Sequence, residues 1–168
     1  MPKVKIDEKG FVMLRIYIKP CSGSSYPLLE FKVDSGASST TISKKDLLDL
    51  GYDDDWIKQG NLLTGKERPS TASGEVLDDC YKVILPEIRL GKWTGYNWSF
   101  LVRLNDDENK QFRLLFGTDS MRFFTWFFDY GNGYCEYLGI EGAKYTLFNH
   151  QEQSLHSVDE VAPPYRNG

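Results

Sequence analysis

Strand-forming residues in this chain come in short runs, each stopped by glycine, proline or a cluster of small polar residues, and that punctuation points to a mainly β fold. Residues 11–18 are dense in β-branched and aromatic side chains, with Arg15 their only charge, as expected of a strand covered over most of its surface. The stretch Pro20-Cys21-Ser22-Gly23-Ser24-Ser25-Tyr26-Pro27 breaks that run, because prolines and glycines set turns rather than ladders. Residues 28–33 then read as a returning strand, so the two runs form a hairpin that delivers Asp34 at its end. Further strand-like stretches cover residues 74–85, 88–90, 98–104 and 113–116, the last ending at Gly117. A closing hairpin spans 125–130 and 134–138 and turns at Gly131-Asn132-Gly133.

Helical signals are few and short. Ser43 is placed to cap a helix over residues 44–50, and Gly51 to end it. Asp53-Asp54-Asp55 reads either as a solvated surface or as the start of another helical turn. Asp119 is positioned to cap a helix beginning at Ser120. The outline of hairpin, strand, glycine and helix occurs twice, around Gly36 and around Gly117. A chain of 168 residues with 40% hydrophobic content can bury one sizeable core. Residues 1–143 are therefore expected to form a single domain. Residues 144–168 lose the hydrophobic period and read as a polar C-terminal tail able to move.

Charge and cysteine usage exclude several classes. The net charge is −4 with acidic residues spread along the chain, so no basic face is expected to bind nucleic acid or an anionic membrane. The first ten residues are charged and lack the apolar stretch of a secretory signal. The longest strongly apolar run, residues 123–128, is far below the roughly 20 residues a membrane-spanning helix needs. Cys21, Cys80 and Cys135 lie far apart, with only His150 and His156 to join them as ligands. Free thiols in a reducing cytoplasm, with no metal or cofactor, are the expectation. Both histidines fall in the polar tail and are given no role. Trp93, Trp98 and Trp126 sit in strand-like stretches among other aromatics, which favours core packing or a dimer surface.

Chemistry concentrates at Asp34. A carboxylate leaving an apolar strand into Ser35-Gly36-Ala37 suits acid–base work, since small residues let backbone approach closely and leave room for a partner. The bare tripeptide Asp-Ser-Gly also occurs as an ordinary surface turn. Its setting is what distinguishes it: Phe31-Lys32-Val33 ahead, Ala37-Ser38-Ser39-Thr40-Thr41-Ile42-Ser43 behind, then a short helix. Ser38, Ser39, Thr40 and Thr41 have no histidine in the ordered flanking sequence to activate them, which favours local hydrogen bonding over nucleophilic roles.

Three segments together resemble the retropepsin-like aspartic proteases. They are residues 31–42 around Asp34-Ser35-Gly36-Ala37, the possible flap turn Thr71-Ala72-Ser73-Gly74, and Leu114-Leu115-Phe116-Gly117-Thr118-Asp119-Ser120-Met121. The resemblance implies a single-lobed, mainly β acid-protease fold, a closed β-barrel with one or two short helices. It further implies that Asp34 supplies a catalytic carboxylate, with Ser35, Gly36 and Ala37 supporting its loop. Residues 71–74 would cover the cleft, and Gly117 and Asp119 would stand structurally behind the site. Chemistry of this class needs two carboxylates sharing one proton, yet the chain's other candidates, Asp119-Ser120-Met121 and Asp129-Tyr130-Gly131, lack the small residues after Asp. A homodimer pairing Asp34 with its symmetry copy, acting as an endopeptidase on extended peptide or unfolded protein, is the expectation. The rival readings are a non-catalytic peptide-binding or dimerisation module of the same fold, and a small serine or thiol hydrolase using Cys80 or a serine.

Overall fold

The computed structural model describes residues 2–158. A hairpin of β2 (Met13–Ile18) and β3 (Leu28–Val33) pairs Met13 with Lys32 and Tyr17 with Leu28. Leu14, Ile16 and Ile18 turn inward while Arg15 faces solvent. The strand is therefore buried on one face, with the period of two that a half-covered sheet requires, and not over most of its surface. Short β1 (Lys3–Lys5) precedes this hairpin.

Two helices follow the Asp34 loop. In α1 (Lys44–Asp49) the Ser43 hydroxyl accepts a hydrogen bond from the Asp46 amide at 3.1 Å, and Gly51 takes a left-handed φ of +89° just beyond the end. Asp53 caps α2 (Asp54–Lys58), accepting from the Trp56 amide at 2.9 Å. The acidic run therefore opens a helix.

The centre of the lobe is the long hairpin of β5 (Cys80–Leu90) and β6 (Trp93–Arg103), with β4 (Asn61–Leu62) alongside β5. Sequence signals had divided β5 at Pro86. The strand continues through it because its neighbours Leu85 and Glu87 pair with Trp98 and Tyr96, leaving Pro86 opposite Asn97, whose φ of +54° relaxes the ladder at that point. Proline is tolerated where no ladder hydrogen bond is required of it.

Then come β7 (Leu115–Phe116), α3 (Thr118–Met121), β8 (Phe124–Asp129) and β9 (Tyr134–Gly139). The parallel pairing of Val33 with Phe116 brings β7 beside β3, and β1, β9 and β8 form a smaller sheet in that order. The result is the mainly β, single-lobed architecture that the resemblance implies, its larger sheet curled into a half-barrel. Phe31, Trp98, Phe100, Phe116 and Phe123 fill the core.

The expected polar tail needs correction. Residues 144–157 carry β10 (Lys144–Thr146) and β11 (Glu152–Ser157), and β11 pairs with β6 through Leu155–Gly95 and His156–Thr94. Gln153 and Leu155 are buried. Only two inward positions mark β11 in the sequence, one of them polar, so its hydrophobic period was too weak to register. His156 accordingly lies in a strand, 3.5 Å from Glu141. The remainder of that expected tail, residues 159–168, falls outside the described residues.

Candidate active site

Asp34 stands where β3 ends, and three backbone hydrogen bonds fix the loop it begins. The Asp34 amide donates to the Phe116 carbonyl at 3.1 Å, the Thr118 amide to the Ala37 carbonyl at 2.8 Å, and the Thr41 amide to the Leu115 carbonyl at 2.9 Å. The loop is thereby strapped to β7 and the first turn of α3. Asp34 Oδ1 accepts from the Gly36 amide at 2.9 Å. A Cβ on Gly36 would lie 3.2 Å from that same oxygen. Asp34 is half-buried, whereas Ser35 and Gly36 are exposed.

Gly117 packs directly behind this loop. A Cβ there would fall 2.5 Å from the Ser39 carbonyl oxygen and 2.8 Å from that of Ala37. Only glycine allows so close a backbone approach.

Asp119 does not cap a helix. The turn begins at Thr118 with Gly117 at the cap position and no side-chain cap. The carboxylate instead reaches across 79 residues of sequence, accepting from the Thr40 amide at 2.9 Å and the Thr40 hydroxyl at 2.7 Å. The Thr40 hydroxyl also meets Ser120 Oγ and accepts from the Gly117 amide at 3.2 Å. Ser120 accepts from the buried Trp98 indole at 2.9 Å. Lys82 of β5 completes the cluster, donating to Ser39 Oγ at 2.8 Å and standing 3.7 Å from Asp119. Burial lowers the Lys82 pKa, a shift that Asp119 opposes.

Thr40, Lys82, Trp98 and Ser120 were not singled out as site residues from sequence. The one available signal was a lone charge in the otherwise uncharged stretch 81–85.

Residues 71–74 form an exposed hairpin turn. Thr71 donates to Glu75 at 2.8 Å, Gly74 to Thr71 at 2.9 Å, and Gly74 adopts a φ of +88°. A bridge between Ser70 and Val76 closes it. The hydrogen bonds that shape this turn run within residues 69–77.

Two depressions flank the Asp34 strand. A groove of about 1230 Å³ runs past Phe11, Met13, Glu30, Lys32, Arg113 and Leu115. A smaller cleft of about 200 Å³ is lined by Val33, Ser35, Met121, Phe128 and Tyr130, among others. Cys80, the nucleophile of the rival hydrolase reading, is fully buried and its thiol is pushed up to about 12 by that burial. A thiol of that kind is unreactive at neutral pH.

This single-lobed, mainly β fold, with an Asp-Ser-Gly loop strapped at the end of β3, has the retropepsin-like architecture. A family model described as aspartyl protease matches residues 22–120. The chain belongs to that family, and its enzyme class is accordingly that of a peptidase, a hydrolase. Among solved structures it is similar to a retropepsin-like aspartic protease from Rickettsia conorii, at 21% identity and a TM-score of 0.55, covering 82% of this chain and 97% of the other. No curated protein matches the chain.

Proposed function

We propose that this peptidase is an aspartic endopeptidase whose water is activated by two Asp34 carboxylates meeting at the twofold axis of a homodimer. The observation that carries this reading is that, of the three aspartates weighed from the sequence, Asp34 stands half-buried in an exposed loop while the other two are engaged elsewhere. Asp119 is occupied by Thr40 and Lys82. Asp129 is occupied by the turn it closes, its carboxyl held below the usual range by hydrogen bonds from Asn132. A second copy supplies the missing acid, and two close carboxylates cannot both ionise, so one takes the water's proton while the other donates to the scissile carbonyl.

The surface beside Asp34 suits self-association. β8 is the outer strand of its sheet among the described residues. Trp126, Phe128 and Tyr130 stack along one face of that strand and its end, and the last two border the cleft that holds Ser35. Free strand edges recruit a second chain readily, and a twofold axis places identical patches together. Residues 35–37 support the catalytic loop in this reading and residues 71–74 cover the cleft. Extended peptide binds by strand-like backbone hydrogen bonds.

The test is hydrolysis of an unstructured protein at mildly acidic pH. Wild-type protein is expected to cleave it, to be blocked by statine-like isosteres and to ignore covalent nucleophile traps. Asp34→Asn is expected to abolish cleavage with fold and oligomeric state unchanged. Cleavage that survives this substitution refutes the assignment.

A further inference from the structure

We propose that Lys82 is a positioning residue for hydrolysis, holding the loop that carries Asp34 through Ser39 on one side and Asp119 on the other. This rests on the aspartic reading of Asp34.

The loop from Asp34 to Thr41 is anchored unevenly. Its two ends donate backbone hydrogen bonds to β7, the Ala37 carbonyl accepts one from α3, and Thr40 has three further partners in Asp119, Ser120 and the Gly117 amide. Between Ala37 and Thr40, the Ser39 hydroxyl is anchored by the Lys82 ammonium, which donates to it at 2.8 Å. Lys82 reaches the loop from β5, where it is fixed on both sides by pairing with Asn61 and Leu101. The rigid centre of the sheet is thus coupled to the loop at two adjacent residues, Ser39 directly and Thr40 by way of Asp119.

A lysine is a costly choice at this position. Its side chain is only 20% exposed, and so is that of Asp119. Burial lowers the Lys82 pKa, and Arg122 nearby pushes the same way. Sheet packing alone would be served as well by an apolar residue, since buried ion pairs replaced whole by hydrophobic groups are often neutral or stabilising. Charged groups kept at such expense cluster at functional sites, where they fix geometry that the chemistry needs. A catalytic carboxylate must meet its symmetry copy and a water within a narrow distance range, and a misplacement of about 1 Å can cost roughly a hundredfold in rate.

Steady-state kinetics on a peptide substrate, with active sites titrated by a tight-binding isostere and temperature held well below melting, test the proposal. Lys82→Met is expected to lower kcat by about ten- to a hundredfold while KM stays nearly constant. Lys82→Arg, which keeps a buried donor, is expected to restore most of kcat. In Lys82→Met/Asp119→Asn no charge is left unpaired, so thermal stability recovers while kcat stays low, because Ser39 still lacks its donor. This double variant also serves as the test should Lys82→Met alone not fold. Recovery of kcat along with stability in the double variant, or an unchanged kcat in folded Lys82→Met, overturns the proposal and leaves the aspartic assignment standing. A wild-type protein that does not cleave overturns both.

Discussion

Replacing Gly117 with alanine tests how the loop that carries Asp34 is held more sharply than any change at Asp34 itself. The added methyl would sit 2.5 Å from the Ser39 carbonyl oxygen, 2.6 Å from the Ser39 carbonyl carbon and 2.8 Å from the Ala37 carbonyl oxygen. Comfortable contact needs about 3.5 Å, so loop and α3 must part by about 1 Å. All three atoms are backbone, and none can swing aside as a side chain would. Overpacking of this kind costs about 1–3 kcal/mol. For a chain of this size about 2 kcal/mol corresponds to a fall of about 4–8 °C in melting temperature. The same displacement moves Ala37, whose carbonyl accepts the Thr118 amide at 2.8 Å, and with it the loop that presents Asp34. Activity should fall by about a hundredfold, in excess of any loss of folded protein. Thermal melts by circular dichroism, run beside kcat/KM on a peptide, measure both effects. A Gly117→Ala protein that melts within about 1 °C of wild type and cleaves at the wild-type rate would refute the reasoning.

Two further outcomes follow from the same structure. Tyr130 is 66% exposed at the end of the aromatic stack and borders the Ser35 cleft, so Tyr130→Asp should leave the lobe folded yet yield monomers by sedimentation velocity, with cleavage lost; an unchanged dimer would exclude this face as the interface. Burial raises the thiols of Cys80 and Cys135 to about 12 and about 11, whereas Cys21 is exposed. At pH 8 the first of these is thiolate in only roughly one molecule in ten thousand. Alkylation of native protein should therefore modify one cysteine, with three modified in denaturant, as mass spectrometry would count.

Local chemistry was readable in the sequence where its cause is local. Residues 28–33 alternate and end in small residues, and they form the strand that delivers Asp34. Ser43 and Gly51 bracket α1 because cap and terminator act within a few residues of the helix they bound. The two apolar segments that meet as β3 and β7 were legible through the glycine that follows each, but their register was not: aligning Gly36 with Gly117 would set Val33 against Leu114, whereas it pairs with Phe116. What stayed hidden depends on partners distant in sequence. Asp119 has the composition of a helix cap, but Thr40 competes for it from 79 residues away and wins with two hydrogen bonds. Lys82 reads as a lone charge on a strand until Ser39 and Asp119 arrive beside it. Pro86 reads as a strand end unless one knows that Asn97 lies opposite. For β11, pairing with an available edge of β6 outweighs a sparse apolar pattern, since backbone hydrogen bonds are indifferent to side-chain identity.

The pairing of β1 with β9 fixes an order of events in the cell. Val4 precedes its partner Cys135 by more than a hundred residues, so β1 waits unpaired while those residues are synthesised. Pairings so remote in sequence form late, after local hairpins have closed. β9 in turn holds β8 in place, and β8 is the strand proposed above to meet a second copy. Completion of the interface is thereby deferred until nearly all of the described lobe has left the ribosome. If hydrolysis requires the dimer proposed above, a nascent chain cannot cut itself or its neighbours on the polysome before β9 has emerged, and the fold's own connectivity delays activity during synthesis.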